Sequence, residues 1–168
     1  ACGDRILTGY VKSNTSLQGD KGVWRAAPIA VDFDFDLKKL ISRKTNIVWP
    51  GLVQLQVEPF FSYIYNPRAN FEAGASVFLK IGFVPDTWII QPYGKFGVGL
   101  DYMTLHTREQ GTQFNFIDTI SLGTHYVIKK NLALTVEYRL RHLSNAGIDE
   151  RNSGINTHFA LIGAAYQF

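Results

Sequence analysis

Over most of its length the chain alternates apolar and polar residues with a period of two, the mark of strands that bury one face. The plainest run, about 24–37, sets Ile29, Val31, Phe33, Phe35 and Leu37 against Ala30, Asp32, Asp34 and Asp36. About 52–65, Val53, Leu55, Val57, Phe61, Tyr63 and Tyr65 oppose Gln54, Gln56, Glu58 and Ser62. After the turn Asn66-Pro67-Arg68, about 70–83, Ala73, Ala75, Val77, Leu79, Ile81 and Phe83 oppose Glu72, Gly74, Ser76, Lys80 and Gly82. Beyond Pro85-Asp86, about 89–104, Ile90, Phe96, Val98, Leu100 and Tyr102 oppose Gln91, Lys95, Gly97, Gly99 and Asp101. About 114–128, Phe114, Phe116, Ile120, Leu122, Tyr126 and Ile128 share a side with one charged intruder, Asp118, for which alternation offers only a bulge or a place near the water boundary. Lys129-Lys130-Asn131 turns into a seventh run, with Leu132, Leu134, Val136, Tyr138 and Leu140 on one face and Thr135, Glu137, Arg139 and Arg141 on the other. An eighth runs from about Asn156 to Phe168, and a first, about 5–14, is ambiguous in phase. No linker, second domain or longer repeat interrupts the series, so residues 1–168 read as one domain.

Eight such segments joined by turns predict an all-β fold, an eight-stranded antiparallel barrel. Alternation alone does not say which face points outward, since a lipocalin-like carrier with an oily interior shows the same pattern. Three features put the oil outside. The polar faces mix Gly, Ser and Gln with both signs of charge, as a narrow polar interior requires. Aromatics gather at the ends of the apolar faces, Tyr63, Tyr65, Phe71, Tyr102, Phe114 and Phe116 at one rim and Phe83, Tyr126, Tyr166 and Phe168 at the other, as interfacial girdles do. The terminal Tyr166-Gln167-Phe168 resembles the last strand of bacterial outer-membrane proteins. A transmembrane barrel in the bacterial outer membrane is the expectation. Its connections around 15–23, 66–70, 105–113 and 145–155 are expected outside the cell, and those around 38–51, 84–88 and 129–131 in the periplasm.

Composition narrows the partners. The net charge of +3 and pI near 9.0 come from scattered Lys and Arg with no basic stripe, which argues against nucleic acid. The mean hydropathy of −0.04 suits strands that average out, and no apolar run is long enough for a spanning helix. No signal peptide is visible at the start, so the chain reads as a mature, processed form. The one cysteine, Cys2, excludes an internal disulfide. A lipoprotein's cysteine is the first mature residue, which makes Cys2 an incidental thiol.

The candidate chemistry lies between Arg139 and Asn156. Continuing the alternation of the seventh run puts His142 and Ser144 on its apolar face, with Cα atoms about 6 to 7 Å apart, side by side as base and nucleophile. If the last hairpin pairs Ser144 with Asn156, His158 stands opposite His142 and Asn156 lies diagonal to it. Ser144 is then the nucleophile, His142 the general base and acid, and Asn156 the group orienting the ring. Asn145 and Gly147, with Asn152, are candidates to hold an oxyanion. The bland readings are a loop start at Ser144, ordinary turn chemistry at Asn152-Ser153-Gly154 and girdle positions for His142 and His158. His106 and His125 lack ligand spacing, and Gly94, Gly97 and Gly99 lack the helix of a phosphate loop. No metal or cofactor is expected.

The segment His142-Leu143-Ser144-Asn145-Ala146-Gly147, with Asn152-x-Gly154-Ile155-Asn156 and the aromatic C-terminus, resembles the PagL family of outer-membrane lipid A 3-O-deacylases. The resemblance implies an eight-stranded barrel whose His and Ser, matched by His142 and Ser144, face the outer leaflet. They hydrolyse the ester-linked 3-hydroxyacyl chain at position 3 of lipid A without metal or cofactor, with oxyanion donors near Asn145 and Gly147. The substrate partner is thus lipid A, or lipopolysaccharide, within the membrane. One departure stands out: familiar members carry Glu where this chain has Asn156. An amide oxygen still fixes the ring's tautomer but adds no charge, which implies weaker activity, a third member drawn from Glu150 or Asp149, or lost activity. The alternative is a non-catalytic structural or adhesive barrel of the OmpX type.

Overall fold

A computed structural model describes residues 3–17, 22–45 and 49–167. Cys2 and Phe168 lie outside the described residues. Eight strands follow one another: β1 (Gly3–Leu17), β2 (Gly22–Asp36), β3 (Val53–Asn66), β4 (Asn70–Gly82), β5 (Ile90–Met103), β6 (Phe114–Lys129), β7 (Leu132–Ser144) and β8 (Ile155–Gln167). Each pairs antiparallel with its neighbours in sequence, and β1 pairs with β8 from Gly3↔Gln167 to Ser13↔Thr157, closing the barrel. Closure leaves no strand edge with unmet backbone groups.

The side chains sort as the alternation requires. Ile29, Phe33, Phe61, Val98, Leu122 and Val136 point outward and are 42–63% exposed. The two aromatic rims are exposed as well, including Tyr63, Tyr65 and Phe71 at one end and Phe83 and Tyr126 at the other. Inside, Asp32, Asp34, Glu58 and Glu137 face Arg5, Lys80, Lys95 and Arg139, all within 8% of full burial. Arg5 bonds Asp32 and donates to the Tyr93 hydroxyl at 2.6 Å, and that hydroxyl donates to Glu137 at 2.6 Å. Lys80 meets Asp34 at 2.7 Å, Lys95 bridges Glu58 and Glu137, and Arg139 binds the same two carboxylates. Four cations and four carboxylates therefore neutralise one another, the arrangement under which buried charge is tolerated.

The interior is layered. Toward the end where β7 meets β8 through residues 145–154, the filling becomes apolar: Leu7, Val11, Trp24, Ile64, Leu143 and Phe159 form one buried cluster. Arg141 sits at its edge, donating to both Glu72 oxygens at 3.1 Å while its guanidinium lies 4.7 Å from the Phe159 ring and 5.0 Å from Trp24. This layer explains the phase ambiguity of the first strand. β1 turns Leu7 and Val11 inward and Ile6 and Tyr10 outward, so it is apolar on both faces.

One element was absent from the expectation. Within the connection expected as an irregular loop at about 38–51, Lys38–Thr45 form a helix, α1. Asp36 Oδ1 accepts the Lys38 N–H at 2.8 Å, satisfying one of the helix's open donors, and Lys38 pairs with Asp86 of the β4–β5 connection.

At the other end two connections clasp each other. In 104–113 and 145–154, the Gly111 N–H donates to Arg151 O at 2.8 Å and the Ser153 N–H to Glu109 O at 3.0 Å, with Gln110 and Asn152 bridged. Asn145, fully buried, knots its own loop: its amide donates to Arg151 O at 3.0 Å and its Oδ1 accepts the Gly147 N–H at 2.9 Å.

Two substitutions test these layers. Glu58→Ala leaves Arg139 and Lys95 to share Glu137, one buried positive charge uncompensated, and is expected to destabilise the barrel by about 3 to 5 kcal/mol, read as a lowered urea midpoint in detergent. An unchanged midpoint counts against the ionic network as a structural requirement. Asn145→Ala removes the side-chain bonds by which Asn145 ties the loop, about 1 to 3 kcal/mol of local stability, and trypsin is expected to cut after Arg151 faster than in the parent protein. Equal cutting rates would show the loop held by other means.

Candidate active site

β7 turns Arg141 and Leu143 into the barrel, so His142 and Ser144 between and beyond them face outward, each half-buried. The register differs from the one assumed from sequence. β7 and β8 pair His142 directly with Asn156 and Leu143 with Ile155, while His158 stands opposite Leu140. The reason lies in the loop: Ala146 and Gly147 take positive φ (53° and 81°), and Gly154 at +75° turns the chain out of the ladder, so pairing ends before Ser144. Asn156 is therefore a direct neighbour of the ring. Its Oδ1 lies 2.7 Å from His142 Nδ1, which places the proton on Nδ1 and the lone pair on Nε2. His158 is engaged elsewhere, bonding the Tyr138 hydroxyl.

Gly154 lies against the imidazole. A Cβ added there meets His142 Cε1 at 2.4 Å and Nε2 at 3.1 Å, so both the ring contact and the positive φ call for glycine. The oxyanion candidates fall out differently from the expectation. The Asn145 N–H donates to Asn152 Oδ1 at 2.8 Å and the Gly147 N–H to Asn145 Oδ1 at 2.9 Å, so both are taken up within the loop. The same bond occupies the Asn152 amide oxygen. Of the other carboxylates considered for the third position, Asp149 accepts the Arg151 N–H at 2.9 Å. That bond and the Arg151 guanidinium hold its carboxyl below the usual range. Glu150 is exposed in the loop.

An open groove of about 520 Å³ lies along this wall, lined by Phe96, Val98, Asp118, Ile120, Leu140, His142 and Asn156 among others. Its lining is mostly apolar, with Asn14, Asp118, His142 and Asn156 forming its polar edge. Register explains that edge: Val98 pairs with Asp118, Asp118 with His142 and His142 with Asn156, so four strands set one transverse row around the barrel. Asp118 was visible in the sequence only as an unexplained charge. Its place beside the imidazole needed the β6–β7 register, which the turn Lys130-Asn131 sets together with a register shift between Val127 and Lys129. Gly154 was visible as part of a motif but not as the floor under a ring. His125 is occupied inside the barrel, 2.7 Å from Thr135 Oγ1 and stacked on Tyr93.

Residues 42–165 match the family model described as Lipid A 3-O-deacylase (PagL). Among solved structures the chain is similar to the outer membrane enzyme PagL, at 18% identity and a TM-score of 0.67, covering 97% of this chain and 98% of that one. It is also similar to Neisserial surface protein A, NspA (12% identity, TM-score 0.61, 99% and 97% covered). The outer membrane protein OprG from Pseudomonas aeruginosa follows (13%, 0.54, 99% and 96%). No curated protein matches the chain. The barrel is thus one of the bacterial outer membrane, its apolar wall turned to lipid, and the chain belongs to the PagL family of lipid A 3-O-deacylases.

Proposed function

We propose that this protein is an active serine esterase that removes the ester-linked 3-hydroxyacyl chain from position 3 of lipid A in the outer leaflet. The observation that carries this reading is the 2.7 Å contact between His142 Nδ1 and Asn156 Oδ1, beside Ser144 on the lipid-facing wall. With Nδ1–H held by the amide oxygen, Nε2 is the base. It takes the Ser144 proton as Oγ attacks the ester carbonyl, then delivers it to the sugar oxygen as the carbon–oxygen bond breaks. Water, deprotonated by the same nitrogen, cleaves the acyl-enzyme and releases the hydroxy acid, and Ser144 recovers its proton. Asn152, whose amide oxygen is fixed by the Asn145 N–H, offers its side-chain N–H groups to the oxyanion. The groove along Phe96, Ile120 and Leu140 gives the departing chain an apolar bed that stays in contact with the membrane. The scissile ester of lipid A sits where headgroups join acyl chains, the depth at which this row is placed if the clasped loops face outside the cell.

The absence of charge at Asn156 favours a second reading, a barrel that keeps the fold without the activity. Incubation with lipid A in detergent separates the two by mass spectrometry. The expected product has lost one 3-hydroxyacyl chain and is absent with Ser144→Ala; a mass unchanged by the parent protein rejects the esterase. Asn152→Ala is expected to lower kcat by about 10² to 10³ with little change in KM. A change confined to KM would remove Asn152 from the oxyanion.

A further inference from the structure

We propose that Asp118 is the charge partner of His142, an electrostatic positioning residue that supplies from β6 the negative charge that Asn156, on β8, does not. This rests on the esterase reading above.

Two observations lead to it. The first is register: Asp118 is the direct cross-strand partner of His142, on the side of the ring opposite Asn156, and both line the same groove. Directly opposed residues of an antiparallel pair have Cβ atoms about 4.5 to 5.5 Å apart. Side chains opposed in this way share one patch of the wall, so a carboxylate there acts on the ring through the intervening low-dielectric surface rather than through a hydrogen bond. The second is location. Asp118 is exposed on the outer wall between Phe116 and Ile120, both on the same apolar face. Among the described residues no cation forms an ion pair with it. A carboxylate on a lipid-facing wall is unfavourable in proportion to its depth, so its place beside an imidazole that gains charge during the reaction gives it a purpose no structural contact supplies.

Among the described residues the surroundings of the ring set Asp118 apart as the charge in its cross-strand row. From β8 the ring meets the neutral Asn156, and His158, one row away, is bonded to Tyr138. On β7 itself Arg141 points through the wall to Glu72. In the loop Asp149 is tied to Arg151, and Glu150 is exposed to solvent. On β1, Lys12 pairs with His158 in register, outside the row that holds His142. The labour is divided: Asn156 selects the tautomer, and Asp118 stabilises the imidazolium once Nε2 has taken the serine proton. A stabilisation that arises only with that charge lowers the barrier without tightening substrate binding.

The test compares the parent protein with Asp118→Asn, Asn156→Glu and the double variant, all in detergent. Two esters are used, lipid A and a p-nitrophenyl ester of an unhydroxylated fatty acid. Asp118→Asn is expected to cut kcat about tenfold on both, with KM unchanged, and Asp118→Glu to restore most of it. In the Asn156→Glu background the same change should cost about twofold or less, because the ring then has a second carboxylate. A loss seen only with the hydroxylated chain, or only in KM, would mean that Asp118 touches the substrate, and an equal loss in both backgrounds would mean that it acts independently of His142. Either result overturns the proposal while leaving the esterase standing. If the parent cleaves neither ester in a Ser144-dependent way, the esterase reading and this inference fall together.

Discussion

The interior ion network is the constraint from which the other features follow. A wall that faces hydrocarbon must bond all its backbone groups internally, and a closed barrel does so. Eight strands leave an interior only wide enough for side chains, so most charges placed there find their opposites within a few ångströms, although buried Asp101 has no hydrogen-bond partner among the described residues on either carboxyl oxygen. Arg5, Lys80, Lys95 and Arg139 do so with Asp32, Asp34, Glu58 and Glu137. Once filled this way, and capped by the apolar cluster around Trp24 and Phe159, the interior has no room for a reaction. The groove that holds the candidate site lies on the outer wall, against the lipid.

Building on the wall has a geometric benefit. Residues far apart in sequence, Val98, Asp118, His142 and Asn156, become immediate neighbours because each strand contributes one member to a row perpendicular to the ladder. Sites on strands are held more precisely than sites on loops. The backing is rigid too, since Arg141, next to His142 but pointing inward, is clamped by Glu72 and two aromatic rings. Only Asn152 and Gly154 come from a loop, and that loop is bonded to the β5–β6 connection and knotted by Asn145.

The strands and the direction of their faces could be read from sequence because lipid imposes a strict period of two on the outside. Reading failed where the inside stopped being polar. β1, with Leu7 and Val11 inward, gave no phase. The helix Lys38–Thr45 carried no alternation to find, though Asp36 before two lysines was a usable start signal. In the site, His142, Ser144 and Asn156 could be picked out by type and spacing, but their adjacency could not. Hairpin register depends on how the loop residues spend their φ angles, and the positive values at Ala146, Gly147 and Gly154 moved the pairing by two residues. Asp118 escaped for the same reason: a residue's cross-strand partner is a property of two segments together.

That shift also changes what the amide at Asn156 means. A diagonal Asn156 would orient the ring only loosely, whereas a directly opposed one at 2.7 Å gives the ring a close amide partner that lacks a carboxylate's charge. In bulk water such a loss is softened, because solvent screens an imidazolium well. His142 is half-buried, where screening is weaker and a fixed charge acts more strongly. The same environment raises the cost of an isolated carboxylate, by an amount that falls toward the water boundary, so the register that sets Asp118 beside His142 is what gives the position its interest.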